Sequence, residues 1–152
     1  MTLKKSIWTA TVSMLALAAV ASIAMAANAH FVGNPTATVS GDTLTVEFKA
    51  AGLGNVPNAD FSLSASANIF SRCYTRKGNK PQAANKQETV ALSSDETFPV
   101  SNGQTTGTIT LTAPDSTLDC PPGQVAVTES VTFENVVLSG EGLTYNFGDI
   151  TP

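Results

Sequence analysis

The segment Ala24–Phe31 (AMAANAHF) contains the only histidine of the chain. A signal peptidase that cuts after Ala29 would leave His30 as the first residue, and its free amine and imidazole would together chelate Cu(II). A histidine-brace copper enzyme needs a second imidazole, which this chain lacks. The ligand count therefore leaves only a weak Cu(II) or Ni(II) site completed by a carboxylate. A metal-free residue that leads a strand is the simpler interpretation, and we expect no cofactor.

A second group with chemical potential is a cluster of cations interleaved with aromatic rings. Five of the six basic residues that follow position 29 are Arg72, Arg76, Lys77, Lys80 and Lys86. Alternation along a strand that begins near Phe61 turns Cys73 inward. The residues that then share the outward face are Phe70, Arg72, Tyr74 and Arg76. Such a row stacks on rings and binds anions, so we predict a patch for an acidic glycan or a phosphate-rich envelope polymer.

A simpler explanation of the same cluster is solvation. Phe70 and Tyr74 would then pack beneath a neighbouring loop, and the cations would only keep that loop soluble. Extracellular nucleic acid is a further anionic ligand for the patch. Six basic and twelve acidic residues follow position 29, a net charge of −6, so we expect no specific groove recognition of DNA.

The scarcity of histidine also limits the enzymatic mechanisms open to the chain. Ser/His/Asp and Cys/His catalysis needs a histidine positioned by the fold, whereas His30 lies near the expected terminus. A glycosidase needs two carboxylates that converge in a cleft, and no spacing singles out such a pair. Asp115 and Asp119 form an isolated DxxxD motif without the loop of a calcium site. We therefore expect a protein that is not an enzyme.

Residues 1–29 have the composition of a secretory signal peptide. Lys4 and Lys5 precede an apolar run over residues 7–21, and alanines suit a cut after Ala26 or after Ala29. A retained membrane anchor is the alternative, but polar residues interrupt the run, and a bilayer span takes about 20 strongly apolar residues. We expect cleavage and secretion to the periplasm or the extracellular space. A single domain over residues 30–152, without a transmembrane segment, would remain.

Cys73 and Cys120 are the only cysteines. In an oxidising compartment, two cysteines in a small domain usually pair. A zinc site is the alternative, but two thiolates without nearby histidines do not complete a tetrahedral shell. We therefore predict a Cys73–Cys120 disulfide that closes a loop of 47 residues.

Apolar and polar residues alternate with a period of two through most of the chain, which is typical of half-buried strands. The clearest alternation covers residues 44–48, 61–69, 90–92, 107–113, 125–133 and 143–147. Gly41-Asp42 and Asn102-Gly103 suit tight hairpins, and residues 140–142 suit a slightly longer one. About seven strands at this spacing predict an all-β, antiparallel sandwich of immunoglobulin-like type. The pattern does not give the strand order.

One passage breaks the alternation. Glu129 falls in phase with the apolar residues Val127 and Val131, and residues 136–138 are apolar on both faces. Because a buried carboxylate is costly, we favour a β-bulge between Glu129 and Asn135 that shifts the phase of the strand.

Four segments carry a resemblance beyond these patterns. They are AHFVGNP (29–35), AANK (83–86), NGQTTGTITLT (102–112) and CPPGQ (120–124). The chain resembles a group of small secreted bacterial proteins in these segments. The resemblance implies secretion and the fold, and it carries over no catalytic residue.

Together these features predict a secreted β-sandwich that serves as a binding or structural module at the cell envelope or outside the cell. A self-assembling matrix or fibre subunit is the alternative, in which the segment Phe31–Val39 would leave its own sheet and complete that of a neighbour. A small secreted enzyme is the third. The sequence leaves the oligomeric state and the identity of the ligand open.

Overall fold

The computed structural model describes residues 28–152, so the predicted signal peptide lies outside the described residues except for Asn28 and Ala29. The described part contains β-strands and no helix, hence no helix that is long and apolar enough to cross a membrane. The strands are β1 (His30–Phe31), β2 (Thr36–Ser40), β3 (Thr43–Ala51), β4 (Asn58–Thr75), β5 (Pro81–Pro99), β6 (Gln104–Thr112), β7 (Gln124–Gly140) and β8 (Leu143–Ile150).

The strands form two antiparallel sheets. In the first sheet, β6 pairs along one side of β3, while β1 and β2 follow one another along the other side. The second sheet has the order β5-β4-β7-β8. These orders match strands A-B-E and C′-C-F-G of an immunoglobulin-like sandwich, so the predicted fold class is confirmed. The described strands number eight because Gly33 (φ 73°) and Pro35 interrupt the N-terminal strand.

The core lies between the two sheets and comes from the apolar half of each alternation. In β6 every second side chain is buried, and β4 follows the same rule along most of its length. The largest fully buried apolar side chains are Phe61, Phe133, Leu44, Leu53, Leu63, Ile69, Ile109 and Leu138. Each contributes about 1.5–3 kcal/mol of transfer free energy. These contacts hold β4 and β7 rigidly through the sandwich.

The predicted hairpin turns are present. Asn102 (φ 52°) and Gly103 (φ 70°) both adopt the left-handed backbone of a type I′ turn between β5 and β6. The turn between β7 and β8 is tighter than predicted, because Gly140 pairs directly with Leu143 and only two residues remain in the turn. The turn between β7 and β8 fixes the register of that hairpin, whereas the turn at Asn102-Gly103 is closed by the Ser101–Gln104 bridge and leads from one sheet to the other.

Two irregularities in β7 confirm the predicted bulge region. Opposite β4 the register shifts once between Ser130 and Thr128, which leaves Glu129 as the extra residue. It shifts again between Val137 and Glu134, where Asn135 has a φ of 52°. Each extra residue reverses the phase of the strand, and the carboxylate of Glu129 avoids the core.

Candidate functional site

The predicted anion-binding cluster lies where the second sheet extends beyond the first. Near this end β8 stops at Ile150, which pairs with Phe133, whereas β4, β5 and β7 continue as a three-stranded ribbon. On β4 the ribbon comprises residues 70–75, which pair with residues 81–87 of β5 and 124–130 of β7. Apolar alternation weakens here because the first sheet no longer covers the ribbon.

The segment between β6 and β7, residues 113–123, covers the inner face of the ribbon. Cys73 is fully buried on that face and forms the predicted disulfide with Cys120, with a Cα–Cα distance of 5.7 Å. Glu88 of β5 accepts hydrogen bonds from the main-chain N–H of Thr117 (2.9 Å) and from the hydroxyl of Ser116 (3.2 Å). The disulfide and these bonds fasten the segment to the ribbon from two sides.

Lys86 belongs to this inner network. In the pairing of β4 with β5, Lys86 lies opposite the buried Ser71. The Nζ of Lys86 lies 2.9 Å from Oε1 of Glu88 and contacts the hydroxyl of Thr117. The hydrogen bonds of Thr117, followed by that of Lys86, lower the pKa of Glu88 to about 2. The inclusion of Lys86 in the outward patch is therefore wrong, because strand pairing turns it to the opposite face of the sheet.

Phe70, Arg72 and Tyr74 share the outward face of β4, as alternation predicts, and all three are half-buried. The guanidinium carbon of Arg72 lies 5.6 Å from the ring centroid of Phe70, which is a cation–π distance. Across the strand gap, Arg72 pairs with Val127 and Tyr74 with Val125. Two exposed valines thus continue the row onto β7. We call this surface the platform: Phe70, Arg72, Tyr74, Val125 and Val127.

Glu129 supplies the platform with a carboxylate that sequence analysis did not assign to it. The Tyr74 hydroxyl donates a 2.6 Å hydrogen bond to Oε1 of Glu129, and Nε of Arg72 lies 3.8 Å from the same oxygen. The hydrogen bond to Glu129, followed by burial, raises the pKa of Tyr74 above 10.0. The break in alternation marks Glu129 in the sequence, but the approach of its carboxylate to Tyr74 depends on the register between β4 and β7.

Arg76 was expected in the outward row, and it follows directly after the end of β4 at Thr75. Its main-chain N–H still donates to the Gly123 carbonyl opposite (3.1 Å), so its place in the row stays a prediction. Arg76 begins the turn between β4 and β5, which also contains Lys77 and Lys80. The Thr75 hydroxyl shapes this turn by donating to the Lys77 carbonyl (2.8 Å) and accepting from the Lys80 N–H (3.1 Å). We call residues 76–80 the basic turn. Its three cations are exposed, and within residues 28–152 no carboxylate lies within salt-bridge distance of them.

His30 lies far along the chain from this site. Its Nδ1 donates a 2.8 Å hydrogen bond to the carbonyl of Asn28. Within the described range, no group of three or more histidine, cysteine or acidic residues is placed to hold a metal ion.

In comparisons with family models, curated proteins and solved structures, nothing matches this chain. Its function is therefore inferred from the geometry and charge of its own residues.

Proposed function

We propose that this protein is a secreted, non-catalytic module that binds anionic polymers at the cell envelope or outside the cell. The basic turn is the observation that carries the proposal. Arg76, Lys77 and Lys80 project from the end of a rigid ribbon with no carboxylate beside them. Unpaired cations at a protruding end are available to a sulfate, phosphate or carboxylate of a ligand.

The distribution of charge over the molecule also supports binding of a polyanion at the basic turn. Four carboxylates lie together at the other end of the second sheet, at Asp60, Asp95, Glu96 and Glu141. The ribbon also carries Glu88 and Glu129, but these pair with Lys86 and Arg72. The 18 residues of β4 separate the two ends by about 55 Å at the usual rise per residue. A molecule with this charge separation turns its basic end toward a polyanion before contact and keeps its acidic end away.

The platform adds contacts to sugar rings to the anion contacts that the basic turn offers a ligand. Phe70 and Tyr74 are half-buried aromatic side chains on the outward face of β4, and the guanidinium of Arg72 lies over the Phe70 ring. Sugar rings pack on such faces, whereas the basic turn binds charged substituents. An acidic glycan presents both chemistries, and a phosphate-rich polymer presents the charge alone.

Self-assembly by strand exchange is the competing proposal. In the structure the segment Phe31–Val39 pairs with β3 of its own sheet, and the Phe31 ring contacts Phe48, Phe61 and Tyr145. Release of this segment would expose an aromatic cluster and remove an edge strand. This internal pairing supports a binding module over an assembling subunit.

Binding to immobilised heparin and to polyphosphate tests the proposed function. We expect the triple variant Arg76→Ala/Lys77→Ala/Lys80→Ala to bind about tenfold more weakly, since each exposed ion pair contributes up to about 1 kcal/mol. The wild-type affinity should fall steeply with salt, because the screening length is about 8 Å at physiological ionic strength. Lys77→Ala and Lys49→Ala form a matched pair, because Lys49 is also exposed but lies on β3 of the other sheet. Equal losses in these two variants, or full binding by the triple variant, would contradict the proposal.

A further inference from the structure

The edge of β7 next to the platform is open. β4 pairs with one side of β7 from Gly140 to Gln124, whereas β8 pairs with the other side only as far as Phe133. Within the described residues, no strand pairs with that second side between positions 124 and 132. Residues 125–130 are all exposed. Main-chain N–H and C=O groups along such an edge are a template for a further strand.

A cleft runs along this open edge. It consists of two adjoining cavities of about 350 and 640 Å³, both bounded by Asp42, Thr128 and Val131. The opposite wall of the smaller cavity comes from the segment after β6, at Pro114 and Asp115. The unpaired stretch of nine residues has a length of about 30 Å, so the edge and the cleft together accommodate an extended peptide.

The two faces of the edge differ in chemistry. On the platform side, Val125 and Val127 are each 37% exposed, and together with Val32 they are the exposed large hydrophobic residues of the described chain. On the cleft side, Asp42 and Asp115 line the smaller cavity together with the small residues Ala126 and Thr128, and the Asp42 carboxylate accepts a hydrogen bond from the Thr43 hydroxyl (3.1 Å). Within residues 28–152, neither carboxylate has a cation within salt-bridge distance. An added strand would therefore meet apolar contacts on one face and negative charge on the other.

The open stretch of β7 lacks two of the residue types that natural proteins use to block an edge, although the bulge at Glu129 interrupts it. Proline and lysine on an edge strand prevent pairing with other chains. The long edge of β5 contains Pro81, Lys86 and Pro99, whereas residues 124–128 (QVAVT) contain neither residue type. The free edge of β5 thus carries proline and lysine, whereas the open edge of β7 does not, and the stability of the sheet alone does not require this difference.

We propose that the open edge of β7 binds an extended peptide of a partner protein, in which apolar residues alternate with lysine or arginine. The peptide adds a strand beside β7, continues the line of β8 and forms main-chain hydrogen bonds. Its apolar side chains pack beside Val125 and Val127, and its cations enter the cleft toward Asp42 and Asp115. This site is separate from the anion-binding basic turn, and its ligand has the opposite charge.

Fluorescence anisotropy with a labelled, end-blocked seven-residue peptide of alternating valine and lysine tests this proposal. We expect saturable binding, with amide chemical-shift changes in 15N spectra concentrated in residues 124–132. The double variant Asp42→Asn/Asp115→Asn should bind the peptide about tenfold more weakly, because two exposed ion pairs are lost. A peptide with glutamate in place of lysine should bind more weakly still, and N-methylation of alternate amides should remove binding.

Control variants separate this site from the proposed anion-binding function. The triple variant of the basic turn should keep its affinity for the valine–lysine peptide, and the Asp42/Asp115 variant should keep its affinity for heparin. Asparagine preserves the shape of both side chains and the main-chain bond from Ala113 N–H to the Asp42 carbonyl. The 15N spectrum of each variant reports folding directly. No saturable binding, equal binding of the glutamate peptide, shifts at β5 instead of β7, or a dimer paired through β7 would each overturn the proposal.

Discussion

The Tyr74 hydroxyl and the Arg72 guanidinium approach the same carboxylate oxygen of Glu129, at 2.6 and 3.8 Å. One acidic residue thus joins two members of the platform that come from β4. The bulge in β7 places Glu129 there, because it is the residue without a partner in the strand pairing. The platform is therefore less positive than its β4 residues suggest, and most of the available positive charge lies in the basic turn.

Glu129→Gln should lower the pKa of Tyr74 toward its ordinary value of 10.0, because the hydrogen bond to the carboxylate and its negative charge both raise it. In the wild type, the tyrosine–carboxylate bond stabilises the fold below pH 10.0 and is lost as the pH rises through the raised pKa. Ultraviolet titration in a Tyr145→Phe background isolates Tyr74. The same variant should bind heparin more tightly, and an unchanged titration curve would argue against the Tyr74–Glu129 bond.

The disulfide prediction concerns covalent state and stability. Mass spectrometry of non-reduced peptides should show Cys73 linked to Cys120, as in the structure. Replacement of both cysteines by serine should lower the free energy of unfolding by about 2–5 kcal/mol, as for native bridges of small secreted domains. Urea unfolding measures this loss. Free thiols in freshly purified secreted protein would contradict the linkage.

Glu88→Gln should change how stability depends on acid pH. Glu88 has a pKa of about 2 in the folded protein and 4.5 as its ordinary value, so its contribution is complete above pH 4.5 and disappears as the pH falls toward 2. Melting temperatures of wild type and variant should therefore differ above pH 4.5 and converge toward pH 2. Glu47→Gln, on the exposed face of β3, is the control. Parallel melting profiles for wild type and Glu88→Gln over this range would refute the role of the Thr117 and Lys86 bonds.

The mature N-terminus should be Ala27 rather than His30. Ala29 packs against the core, and the Asn28 carbonyl accepts from His30 and lies where a Cβ on Gly52 would collide with it. A cut after Ala29 would remove these contacts, whereas a cut after Ala26 preserves them. Intact-mass measurement of secreted protein distinguishes the two. With Ala27 first, the free amine no longer belongs to His30, so copper should not support oxidative cleavage of a polysaccharide by the pure protein.

Size-exclusion chromatography should show a monomer across micromolar concentrations, because Phe31–Val39 already completes its own sheet. A ladder of oligomers that grows with concentration would instead favour strand exchange. Phe31→Ala is informative here, since it weakens the contacts with Phe48 and Tyr145 that retain the segment.

The parts of the fold that are buried on one side were predictable from the sequence. Alternation identified β3, β4 and β6 because the core removes every second side chain from water, and Asn102-Gly103 marked its turn because both residues adopt positive φ. Alternation over residues 90–92 predicted only a fragment of β5. The inward positions of this edge strand are only half-buried and include Glu88, Ser94 and Glu96, so the apolar period is interrupted, although Phe98 near its end packs on Phe48.

Side-chain orientation in the candidate site was predictable only where the strand continued. Phe70, Arg72 and Tyr74 share a face because β4 remains regular as far as Thr75. The face of Lys86 escaped prediction because the position of the turn decides the face of every later residue, and a five-residue turn has no periodic signal. The role of Glu129 depends on contacts between residues 55 positions apart, which no local pattern contains.

The disulfide anchors the inner face of the ribbon, while the basic turn contributes nothing to the core and is held mainly by Thr75 and its flanking main chain. Exposed connections of this kind tolerate insertion and replacement. Natural selection is therefore free to vary the length and charge of residues 76–80 without affecting the sandwich. For protein engineers, the same separation makes this turn a graft position, where a foreign recognition loop would inherit a rigid, cross-linked base.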